Sequence, residues 1–174
     1  PPIPAARAWL SHYDLRHGPA INLAQAVPGT PPPEGMLARL AAAAADPATS
    51  MYGPIRGEPD LVASYARELS AVYRSPITAN EIAITAGCNE AFFVAVLAVA
   101  KAGDAILLPT PWYFNHEMTL KMLGIEAVPL PCRAENGFVP DIRSAEKLIA
   151  ARKLAKAKPL RAIVLVTPNN PTGA

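Results

Sequence analysis

The chain has 174 residues, 51% of them hydrophobic, with a formal net charge of +2; that is enough apolar material for a sizeable core, and no unbroken apolar run is long enough to span a bilayer. Its basic residues are spread, except for Arg152, Lys153, Lys156 and Lys158, which interleave with Ala150, Ala151, Leu154 and Ala155 at helical spacing and read as a solvated helix face, too sparse for a nucleic-acid footprint. Two cysteines, Cys88 and Cys132, lie far apart without a second ligand pair, which indicates neither a disulfide framework nor a zinc site; residues 1–10 lack the features of an export signal, so a cytoplasmic setting is expected.

Of twenty prolines, most fall in clusters that act as punctuation between elements rather than as a disordered tract. Residues 33–45 are alanine-rich and read as a helix. Residues 58–73 open with Pro59 at a first-turn position and carry Leu61, Val62, Tyr65, Leu69 and Val72 at helical spacing, a second helix. Residues 82–85 read as a strand, 90–100 as a buried apolar helix and 105–109 as a strand. The alternation continues with a helix near 116–123, a strand at 126–130, a helix near 141–158 and a strand at 162–166. Residues 161–167 (RAIVLVT) are almost continuously aliphatic, as expected of a central strand buried on both faces. Strands alternating with helices give the fold class: α/β, a three-layer sandwich with a mostly parallel central sheet. The sequence stops at Ala174, just after a strand and a turn, so the domain is expected to be incomplete.

In open α/β sheets ligands bind beyond the carboxyl ends of the strands, which directs attention to three loops. The first is Ala86-Gly87-Cys88-Asn89-Glu90. Its glycine permits close approach and the next helix presents unpaired amides, so it serves equally as an anion cradle or as a plain connection. Cys88 has no partner histidine and reads as an amide donor rather than a nucleophile. The second loop, Thr110-Pro111-Trp112-Tyr113-Phe114-Asn115-His116, puts three aromatics at the same edge, suited to stacking on a flat ring or to packing the following helix; His116 reads as structural. The third, Thr167-Pro168-Asn169-Asn170-Pro171-Thr172-Gly173, is a rigid turn that presents two uncharged amides, each both donor and acceptor.

Taken in order, these loops make the sequence resemble the class I/II pyridoxal-phosphate-dependent aminotransferases of fold type I, from Ile21 onward. Asn170-Pro171-Thr172-Gly173 is similar to the family's Asn-Pro-Thr-Gly motif. Tyr52-Gly53-Pro54 with Gly57-Glu58-Pro59-Asp60-Leu61, then Thr85-Ala86-Gly87-Cys88-Asn89-Glu90-Ala91, then Pro109-Thr110-Pro111-Trp112-Tyr113 support it. The resemblance implies that residues 1–32 form an N-terminal arm with part of a small domain, and 33–174 the first part of a large cofactor-binding domain. It implies that Gly87, Cys88 and Asn89 hold the cofactor phosphate, that Tyr113 rather than Trp112 stacks on the pyridine ring, and that Asn170 hydrogen-bonds its 3'-oxygen. Tyr52 resembles a tyrosine that reaches the phosphate from a neighbouring subunit, which implies a homodimer with shared sites. Ala26 falls where a glycine commonly lies near the substrate carboxylate.

The activity implied is transfer of an amino group between an amino acid and a 2-oxo acid. The family's Schiff-base lysine is expected beyond residue 174, since Lys101, Lys121, Lys147, Lys153, Lys156 and Lys158 all read as solvated surface residues. Three rivals remain: a pyridoxal-phosphate β-lyase of the same fold, a ligand-sensor domain of a regulator, and an α/β domain for an unrelated phosphate ligand. The regulator predicts a basic helix-turn-helix ahead of the domain, and residues 1–19 contain none.

Overall fold

The computed structural model describes residues 2–21, 23 and 29–174; Ala26, expected near the substrate, lies outside them. The chain forms two compact units, Pro1–Pro54 and Ile55–Ala174. No helix among the described residues is long and apolar enough to cross a membrane.

The first unit holds helix α1 (Pro2–Leu10), a 3-10 turn at Leu15–His17, helix α2 (Glu34–Ala45) and a second 3-10 turn at Pro47–Ser50. Helix α1 is absent from the sequence reading because Pro2 and Pro4 look like breakers. In a first turn, however, proline gives up only amides that would be orphaned anyway, and Ala5, Ala6 and Ala8 are strong helix formers. Helix α2 begins one residue after Pro33, whose carbonyl accepts the amides of Met36 and Leu37.

The second unit opens with α3 (Pro59–Tyr73). Its buried stripe is narrower than the spacing predicts: Val62 and Ala66 are buried against Ile82, with Leu69, Ile77 and Ile84 alongside, while Leu61, Tyr65 and Val72 face outward. Only one segment folds back on the helix, and Ser70 ties it there, its Oγ accepting the Ile77 amide at 2.9 Å and donating to the Ala66 carbonyl at 2.8 Å. Residues 82–85, expected to be a strand, are extended but unpaired with the sheet. Ile84 donates its amide to Arg56 O at 2.9 Å, a single contact with a loop in place of a ladder.

The sheet has three parallel strands in the order β2-β1-β3, where β1 is Ala105–Thr110, β2 is Glu126–Pro131 and β3 is Leu160–Ile163. Helix α4 (Cys88–Val99) precedes β1, α5 (Phe114–Met122) joins β1 to β2, and α6 (Ile142–Leu154) joins β2 to β3. On one face Ile106 and Leu108 pack with Val96, Ala100, Leu120 and Ile125 from the α4 and α5 side. On the other, Ala105, Leu107, Val128 and Leu130 meet Ala145 and Leu148 of α6. The expected three layers are therefore present, with Ala105–Leu108 of β1 buried at their centre.

Four expectations are corrected. Within this chain the central strand is β1, not the aliphatic run 161–167: β3 pairs here on one side only, and Ile163 at its end and Leu165 beyond it are exposed. Helix α4 is not buried all round, because only the side bearing Phe92, Val96 and Ala100 meets the sheet and Val94, Leu97 and Val99 are exposed. Arg152 is not solvated. Its guanidinium donates twice to the Glu126 carboxylate, at 2.8 and 3.1 Å, and holds that carboxyl below the usual range. Helix α6 also ends at Leu154, with Lys156 in a left-handed conformation (φ 50°), so Lys158 lies outside it.

Asp104, 4% exposed, accepts the Lys101 amide at 3.1 Å and pairs with Arg161 Nε at 3.2 Å. The Lys101 amide first, and Arg161 with it, keep the carboxyl below its ordinary value. Both charged clusters lie at the amino-terminal edge of the sheet, leaving the carboxyl-terminal edge to the loops that carry chemistry.

Candidate functional site

Helix α4 begins directly after Gly87, whose φ of 93° and ψ of 170° place it in a region open to glycine. A Cβ there would meet nothing within 4 Å, so the space ahead of the helix is clear. The first intrahelical acceptor, Gly87 O, takes the Ala91 amide at 3.2 Å. The amides of Cys88, Asn89 and Glu90 come before it, at the positive end of the helix dipole. Glu90 reaches back to the Ala86 amide and Thr85 Oγ1 donates to Gly87 O at 3.1 Å, fixing the turn. Cys88 is an exposed free thiol, and its main chain is what this turn presents.

The second loop is shorter than expected, because α5 starts at Phe114 and takes Asn115 and His116 into its first turn, with Tyr113 at the N-cap. The three aromatics separate. Trp112 packs against the core beneath α4 and α5. Tyr113 is half-buried, with Phe114 at 5.0 Å and His116 edge-on at 5.4 Å between ring centroids. His116 also lies 4.4 Å from Phe92, and burial pushes its imidazole below the ordinary histidine value. This is the surrounding of a neutral packing residue.

The third loop turns on Asn169, whose Nδ2 donates to Pro111 O at 3.2 Å and to Thr172 Oγ1 at 2.8 Å. Asn170 beside it is exposed, and its side chain makes no hydrogen bond within the described residues. Asn115, to which the sequence reading gave no role, joins the other two loops: its Nδ2 donates to Tyr113 Oη at 2.6 Å and to Asn89 Oδ1 at 3.3 Å. Its only sequence signal was an amide one position after an aromatic run, on what looked like a loop. Gly87, Cys88, Asn89, Tyr113 and Asn170 thus lie on loops joined by hydrogen bonds at one edge of the sheet. Tyr52 is in the other unit and fully exposed.

An apolar hollow of about 510 Å³ also opens at this edge, between Trp112 and Leu108 on one side and Ala145 and Ile149 of α6 on the other. It touches Tyr113 and Asn169 but none of Gly87, Cys88, Asn89 or Asn170. An anion needs the donors, which lie outside it. Cys132, in its wall, has its thiol pushed up by burial. Among the described residues no cluster of three metal-ligating side chains occurs.

A parallel sheet with an open helix N-terminus, an aromatic ring and an exposed amide at its carboxyl edge defines an α/β domain whose loops gather at the edge where such sheets bind ligands. Residues 10–174 match the family Aminotransferase class I and II, and the chain belongs to it. It is 34% identical over 157 residues to LL-diaminopimelate aminotransferase of Syntrophobacter fumaroxidans, covering 88% of this chain and 38% of that protein. It is 31% identical over 177 residues to valine–pyruvate aminotransferase of Mycobacterium tuberculosis, covering 99% and 43%. Among solved structures, apo-BacF of Bacillus subtilis superposes with a TM-score of 0.80 at 31% identity, covering 100% of this chain and 43% of that one. Aspartate aminotransferase of Thermus thermophilus with maleate gives 0.78 at 26%, covering 99% and 42%. The chain spans about two-fifths of the length of these relatives.

Proposed function

We propose that the protein is a pyridoxal-phosphate-dependent aminotransferase, moving an amino group between an amino acid and a 2-oxo acid, and that this chain supplies much of the cofactor-holding surface. The observation that carries the reading is the chain of hydrogen bonds Asn89–Asn115–Tyr113 and Pro111–Asn169, which ties an anion-ready helix end, an aromatic ring and an amide pair into one constellation. Its donor set fits the cofactor: amides for a phosphate, a ring face for a pyridine, a neutral amide for a ring oxygen.

Pyridoxal phosphate, when bound, supplies a carbonyl for the substrate amine and a ring that withdraws electrons from the substrate α-carbon. The amides of Cys88 and Asn89 bind its phosphate, aided by the helix dipole and by the clearance at Gly87. Tyr113 would hold the ring by stacking and would exclude water from it. Asn170 donates to the ring oxygen and stabilises negative charge there. The six lysines of this chain are all exposed, and the lysine that binds the cofactor is assigned outside residues 1–174. A homodimer with Tyr52 serving the neighbouring site, and a cytoplasmic setting, belong to the same proposal.

The test is a spectrum of the full-length protein with pyridoxal phosphate, repeated after borohydride and after a panel of amino acids. A visible band that borohydride fixes covalently, and that an amino donor discharges with release of its oxo acid, is expected. Release of ammonia and pyruvate instead, or no band, would overturn the proposal.

A further inference from the structure

Asn115 is half-buried at the second position of α5, between the two residues through which the ring-stacking and anion-binding parts of the site would act. An amide nitrogen carries two hydrogens, so its Nδ2 serves Tyr113 Oη at 2.6 Å and Asn89 Oδ1 at 3.3 Å together. Each contact sets a polarity. Asn89 is left with its Nδ2 donors, which have no partner within the described residues. Tyr113 accepts through its oxygen, while Phe114 and His116 flank its ring at 5.0 and 5.4 Å.

We propose that Asn115 is a positioning residue: by donating to both neighbours it locks Tyr113 to the anion-binding turn and leaves Asn89 presenting its donor end to a phosphate. The inference rests on the function proposed above and goes further by assigning a side-chain donor and its support to the phosphate site. An acceptor at position 115 would repel the Asn89 oxygen and release that amide to turn its oxygen toward the anion, while the Tyr113 hydroxyl would reverse its role and donate.

The experiment uses the full-length protein freed of cofactor, with inorganic phosphate titrated calorimetrically and pyridoxal phosphate titrated by absorbance. N115D keeps the shape and replaces the donor with an acceptor; N115L keeps the shape without charge and serves should N115D fail to fold. Phosphate affinity is expected to fall about tenfold in either variant, close to 1.4 kcal/mol, with the ligand-free melting temperature lowered by no more than about 4 °C. In an N89A background the same substitutions are expected to cost less than about threefold, since the coupled partner is gone. Unaltered phosphate affinity in the folded variants, an undiminished loss in N89A, or no phosphate binding by the unsubstituted protein would each overturn the inference. Asn115-dependent phosphate binding without a visible pyridoxal-phosphate band would sink the proposed function alone; a normal band with no Asn115 dependence would sink this inference alone.

Discussion

Gly57 sits at φ +104°, and a Cβ built on it lies 2.7 Å from Ile84 Cγ1, 2.8 Å from Ile84 Cβ and 3.5 Å from Val62 Cγ2. Replacing it with alanine therefore incurs two costs. The left-handed backbone conformation costs an L-residue roughly 1–2 kcal/mol, and the overlap with Ile84 adds roughly 1–3 kcal/mol, for a total of about 3 kcal/mol. Ile84 cannot simply swing aside, because its Cβ is fixed by a main chain whose amide bonds Arg56 O at 2.9 Å. Arg56 is itself held by Asn80 through contacts of 2.8 and 3.2 Å. The displacement passes instead along residues 82–86 into the Gly87 turn, so G57A should lose both stability and phosphate affinity. Thermal unfolding of the full-length protein is the assay, with a fall of a few degrees expected, less than the roughly 6–12 °C that about 3 kcal/mol gives a domain of 150–250 residues. Ile84→Ala in the same chain removes the Cγ1 overlap but leaves Cβ at 2.8 Å, so the double variant should recover less than half the loss. A destabilisation under about 1 kcal/mol, or full rescue by Ile84→Ala, would refute the reasoning.

Arg152→Leu removes a bidentate partner from Glu126 and should cost about 1 kcal/mol, the pair being only partly buried. The folded values of Glu126 and Asp104 both lie below their unfolded ones, so the stability they contribute is complete above the ordinary carboxylate range and is lost as pH falls through it toward the folded values. Urea midpoints measured from neutral to acid pH should show that loss, and a shallower one in Arg152→Leu. Asn169→Ala removes the bonds to Pro111 and Thr172; a stability loss of about 1 kcal/mol and a several-fold weaker absorbance-titrated affinity for pyridoxal phosphate are expected. Gly87→Ala meets no atom within 4 Å but forces an alanine to φ +93°, so weaker phosphate binding, read by calorimetry, should outweigh a stability change of about 1–2 kcal/mol.

How much of this was legible in the sequence depends on whether local periodicity or distant pairing decides the outcome. The strands at 105–110 and 126–131 were readable because short apolar runs bounded by helical and turn signals mark them, although β2 alternates, with Val128 and Leu130 buried and Pro129 and Pro131 exposed. The same pattern misled at 161–167, since Ile163 and Leu165 are apolar yet exposed, and hydrophobicity alone says that a strand is suited to burial without saying what covers it. Residues 82–85 look as strand-like as any, but a strand is defined by its neighbour, and no composition records that Ile84 bonds only Arg56 O. Arg152 looked solvated because Glu126 is 26 positions away. Gly87 and the paired asparagines 169 and 170 could be picked out, as turn chemistry is local. Asn115 could not, because its partners face it only after α5 starts at Phe114.

The site follows from topology as much as from motif. Each crossover from one parallel strand to the next returns the chain to the same edge, so loops far apart in sequence arrive side by side. Asn115 meets Asn89 across 26 positions and Asn169 meets Pro111 across 58. Such loops carry little packing of their own: Asn89 and Asn170 are exposed, and Tyr113 only half-buried. Side-chain amides do the joining instead, since an amide can bond two loops at once and stay neutral beside an anion. The ion pair of buried Asp104 with half-exposed Arg161 and the Arg152–Glu126 clamp sit at the opposite edge, where charge can stabilise the strands without repelling or neutralising a phosphate. Substitutions at the amino edge should accordingly move stability and leave ligand affinity nearly unchanged, whereas those at Asn89, Asn115 and Asn169 should move affinity more than stability.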